Sequence, residues 1–137
     1  MARLALVLFE PATEALAAWA SAAGAGVYTA PPGAGRLRAA VEAFAAGHTA
    51  VLLVAPGHAP AGALLDLAAA ELDAPMTAVI GPAPGGRLAL LGLTEIVPAL
   101  LTADGASAEA VEAALASAFD AGLSVVVLPE VDAAASG

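Results

Sequence analysis

The chain has 137 residues, enough for one domain with a single core. Its formal net charge is −9, with four arginines and no lysine; such a chain repels phosphate backbones, which argues against nucleic-acid binding and against a multi-phosphate ligand held without metal. No cysteine is present, so disulfides, thiolate catalysis and zinc–thiolate sites are excluded, and the composition fits a reducing compartment.

Hydrophobic residues make up 61% of the chain, and much of that is alanine. Alanine favours helix but buries little area, so the core must rest on Leu, Val and Ile. No apolar run reaches the length of a membrane span. The opening "MARLALVLFEPATEALAAWASA" has a faint likeness to a signal peptide, but Glu10 and Pro11 cut its apolar segment short. It reads instead as a first buried strand, and the chain as cytoplasmic, with no membrane partner.

"RLALVLF", 3–9, is continuously apolar, which predicts a strand buried on both faces, as in a parallel sheet. "EPATEALAAWASAAGAG" reads as a helix, with Pro11 in its first turn, Glu14 at its positive amino end, and Gly24 or Gly26 as its stop. "VYTA", 27–30, is a short strand and "PPGAG", 31–35, a turn. "RLRAAVEAFAAG", 36–47, predicts a helix with Leu37, Val41 and Phe44 on one face and Gly47 as its stop. A strand over 49–54 follows, ending in "APGHAPAG", and then a helix in "GALLDLAAAELD".

"MTAVIG", 76–81, and "RLALLGL", 87–93, are strands joined by the turn "PAPGG". "TEIVPALL" reads as a short helix broken at Pro98. Ser107 is a plausible cap for a helix running to Gly122. "LSVVVLP", 123–129, is the last strand. Strands alternating with helices imply an α/β fold with a mostly parallel sheet, and the short connection at 81–86 makes 87–93 its one antiparallel strand. With no composition shift and no internal repeat, 1–132 reads as a single domain and 133–137 as a frayed, disordered tail.

The segments "AAGHTAVLLVA", "VIGPAPGG…LLGL" and "AGLSVVVLPEVD" carry a resemblance that covers most of the chain from about Val27 onward. In them the chain resembles a bacterial glycosyltransferase-like family of unknown function, related to the molybdenum-cofactor and phospholactate guanylyltransferases. The resemblance implies a Rossmann-like three-layer sandwich of the nucleotide-diphospho-sugar transferase type. In active members it implies a nucleoside triphosphate or nucleotide sugar, a Gly-rich basic loop after the first strand, and acids at central strand ends that hold Mg²⁺ or Mn²⁺ against the anionic leaving group.

This chain departs from that pattern. Where the family has Ser/Thr-Asp-x-Pro-Asp, "APGHAPAG" offers no acid between Val54 and Asp66. Where the family has an acidic pair before its glycines, Pro84-Gly85-Gly86-Arg87 stands. "LFEPATEAL" passes from strand to helix without a glycine or a base. Asp132, in "PEVD", alone falls where the family carries an acid near its end.

The candidate ligand-binding residues are therefore Glu10, His58, Gly85, Gly86, Arg87 and Asp132. His58 follows a strand's carboxyl end, where α/β proteins bind ligands; its competing reading is an exposed loop histidine. Glu10 also follows a strand, yet an acid there equally suits a helix's first turn. Backbone N–H groups at Gly85 and Gly86, beside Arg87, suit an anion; the same glycines also suit a plain turn. A single carboxylate such as Asp132 binds Mg²⁺ weakly, so without partners it reads as vestigial. His48, before its strand, sits at the sheet's amino end and reads as structural, while Arg36 at a helix start is a lesser anion candidate. No nucleophile elbow or Ser–His–acid pattern stands in the sequence.

The expectation is a diverged transferase-like protein that has lost metal-dependent nucleotide transfer and binds a small molecule or a protein, with no cofactor. The alternative is an active transferase with an atypical site built from Glu10, His58, Arg87 and Asp132, using Mg²⁺ or Mn²⁺. A third reading is a structural subunit of an oligomer, and a homodimer is expected from the aliphatic surface a small alanine-rich core leaves exposed.

Overall fold

The structure, a computed structural model, describes residues 4–8, 14–29, 35–54, 62–101 and 109–129. In chain order they form β1 (Leu4–Leu8), α1 (Glu14–Ala23), β2 (Gly26–Thr29), α2 (Gly35–Ala45), β3 (Ala50–Val54), α3 (Gly62–Glu71), β4 (Thr77–Pro82), β5 (Leu88–Leu93), α4 (Pro98–Leu101), α5 (Ala110–Asp120) and β6 (Ser124–Val127). A short 3-10 turn, Pro84–Gly86, joins β4 to β5.

The strands make one six-stranded sheet in the order β2-β1-β3-β5-β4-β6. β1 pairs in parallel with β2 and β3, and β4 in parallel with β6. β5 runs antiparallel between β3 and β4. The short 83–87 connection allows only a reversal, so β5 returns beside β4 and its free edge meets β3. All six predicted strands are present, and 87–93 is the antiparallel one.

Every residue of β1 and β3 is buried, which is why both read as unbroken apolar runs. Leu6 and Leu52 are paired neighbours and face α1 and α3 along with Leu16, Ala20, Leu65, Ala68 and Leu72. Val7 and Leu53 face the other way, toward α2, α4 and α5. The sheet is thus covered on both sides, a three-layer sandwich. The helices on the second side reach it through small residues: Ala39, Ala40 and Ala43 of α2, and Ala110, Ala114 and Ala118 of α5. The i, i+4, i+8 spacing in α5 puts one alanine per turn on the buried stripe. The aliphatic area that drives folding therefore comes mainly from the strands.

Three helices end alike. Gly24, Gly47 and Gly122 take φ of 69°, 98° and 76°. The next residue's N–H closes each motif on a helix carbonyl: Ala25 on Ala20 (2.9 Å), His48 on Ala43 (3.2 Å), Leu123 on Ala118 (3.0 Å). That 6→1 bond with a left-handed residue marks a Schellman stop. Of the two glycines predicted to end the first helix, Gly24 does so, and Gly26 opens β2.

One expectation is corrected. Pro98 does not break a helix over "TEIVPALL"; it begins α4, and 94–97 are not helical. A proline's missing N–H and fixed φ suit the first helical position and not the middle. The helix starts predicted before Glu14 and Ala110, with the Ser107 cap, lie outside the described residues, as do the tail and the 1–132 boundary. Among the described residues no helix is long and apolar enough to cross a membrane.

Candidate functional site at the carboxyl edge of the sheet

The chain leaves β1 toward β2 on one side and leaves β3 toward β4 on the other. Strand order therefore reverses between β1 and β3, whose carboxyl ends stand side by side in the pair Leu8 and Val54. In open α/β sheets ligands bind outside the carboxyl ends of the strands at such a reversal. Glu10 and His58 follow these two strands in sequence; both lie outside the described residues, as does Asp132 after β6.

The described part of the same edge is the connection from β4 to β5. Pro82 at the end of β4 pairs with Leu88 at the start of β5. The Ala83 N–H donates to the Arg87 carbonyl at 2.7 Å and closes the turn. Inside it Gly85 and Gly86 take φ of 83° and 80°. A side chain at Gly85 would meet no atom within 4 Å, so backbone conformation and not space calls for glycine there. Arg87 is exposed, and its Nε donates to the Pro84 carbonyl at 3.1 Å. The predicted trio Gly85, Gly86 and Arg87 thus lies together at the edge expected of a site. Chemically it offers the positive charge of Arg87 to an anion.

The divalent cation that the resemblance implies finds no fit in the donors of this turn. From Thr77 to Leu93 the sequence carries no carboxylate, and a guanidinium repels Mg²⁺ or Mn²⁺, which take oxygen ligands. No three His, Asp or Glu side chains gather into a metal-sized cluster among the described residues.

The opposite edge holds a feature that sequence reasoning passed over. A cavity of ≈ 540 Å³ opens there, lined by residues that include Phe44, His48, Thr49, Asp73, Thr94 and Glu95. His48 is half-buried and meets the Tyr28 ring edge-on, 5.7 Å between centroids at 88°. A Cβ at Gly26 would stand 2.9 Å from His48 Cε1, so glycine at the start of β2 makes room for the ring. Buried His48 Nδ1 has no hydrogen-bond partner among the described residues. In sequence His48 was simply the residue after a helix stop; its pocket comes from distant elements that no local spacing links. Arg36 falls in α2, where its side chain is not described.

No protein-family model matches the chain, and no curated protein does. The fold does match a solved structure: the crystal structure of a Desulfovibrio desulfuricans G20 protein assigned as a nucleotide-diphospho-sugar transferase. The TM-score is 0.65 at 20% sequence identity, over 91% of this chain. The chain spans 58% of that protein's length. The fold is accordingly α/β of the nucleotide-diphospho-sugar transferase type.

Proposed function

We propose that this is a diverged transferase-fold protein that no longer performs metal-dependent nucleotide transfer and instead binds a small molecule or a protein at the carboxyl edge of its sheet. The observation that carries the reading is the 83–87 turn. It occupies the strand-end position of a site, yet it presents an arginine and no carboxylate where metal-assisted transfer needs carboxylates. The sequence after β3 agrees, with no acid between Val54 and Asp66. Lacking lysine and carrying a net charge of −9, the chain has few means to hold a triphosphate without metal. One arginine suits a single carboxylate or monophosphate group better.

Calorimetric titration with a nucleoside triphosphate plus Mn²⁺ tests this. The expected outcome is no saturable heat in the micromolar range. Micromolar affinity that disappears on adding a chelator would overturn the reading and favour the active transferase, with Glu10, His58, Arg87 and Asp132 as the residues to mutate first.

A further inference from the structure

We draw no further inference here: the strongest candidate, the cavity at the amino edge of the sheet between Phe44, His48, Asp73 and Glu95, carries nothing, because the two acids in its wall are exposed, His48 beside them is only half-buried, and nothing among the described residues says what occupies it.

Discussion

The two edges of the sheet are built by different means. At the amino edge side chains do the joining. The Thr77 hydroxyl donates to the Ala74 carbonyl at 2.8 Å, and the Thr77 N–H donates to Thr94 Oγ1 at 2.8 Å. Thr77 is the one buried polar residue of the core among the described residues. His48, Asp73 and Glu95 gather round the cavity beside it. At the carboxyl edge the described turn is joined by backbone: the Ala83–Arg87 bond, two left-handed glycines, and an arginine held to a carbonyl. The edge where open α/β sheets bind ligands thus carries one charged side chain from β4 to β5, and the opposite edge carries the buried polar groups among the described residues. Fixed side chains at the amino edge hold the strands in register; a backbone turn at the carboxyl edge is free to change its side chains. Substitutions at the first should therefore cost stability, and substitutions at the second should cost little.

The strongest test is Leu72, which is 2% exposed and lies over Gly92 of β5. A Cβ at Gly92 would stand 2.9 Å from Leu72 Cδ1 and 3.3 Å from the Val79 Cβ. Leu72→Ala should cost about 2–5 kcal/mol in urea unfolding, as buried leucines do. Gly92→Ala should also destabilise the protein alone, yet cost less in the Leu72→Ala background, because the shortened side chain vacates the space the new methyl needs. Strict additivity would mean that the backbone around β5, and not Leu72, limits the packing.

Next in size is Thr77→Val, which keeps the shape and removes the hydroxyl. The Ala74 and Pro75 carbonyls lose their donor at a part-buried site, a loss of about 1 kcal/mol. Equilibrium unfolding measures it. A neutral substitution would show that water replaces the hydroxyl there, and that the amino edge is less dependent on side chains than the contrast holds.

The contrast also marks what the sequence made legible. The six strands were readable because a strand covered on both faces must be apolar throughout, as β1 and β3 are, and because Gly24, Gly47 and Gly122 punctuate the helices. The reversal at 83–87 was readable from its length alone. The placing of β5 between β3 and β4 was not, since it depends on which strand edges are left open after folding. Pro98 was misread because a proline in an apolar run can begin a helix as well as break it, and the outcome turns on residues 94–97 joining β5 to α4. At the candidate site Gly85, Gly86 and Arg87 were legible as a turn at a strand end, whereas the cavity around His48 was not: Phe44, Asp73 and Glu95 come to it from distant parts of the chain.

The smallest expected effect belongs to Gly85. Its φ of 83° and ψ of 17° lie in the left-handed region, where an L-residue pays about 1–2 kcal/mol. An added methyl there meets open space, so no packing term is added to that strain. Gly85→Ala should lower stability by about 1 kcal/mol, because alanine narrows the unfolded ensemble and so offsets part of the backbone strain. Gly85→Asn should cost less, because asparagine tolerates the left-handed region better than alanine. Thermal unfolding of the two variants side by side makes the comparison. If Gly85→Ala proved as damaging as Leu72→Ala, the carboxyl-edge turn would be a structural keystone and not a replaceable loop, and the idea that this edge can change its side chains without harm to the fold would fail.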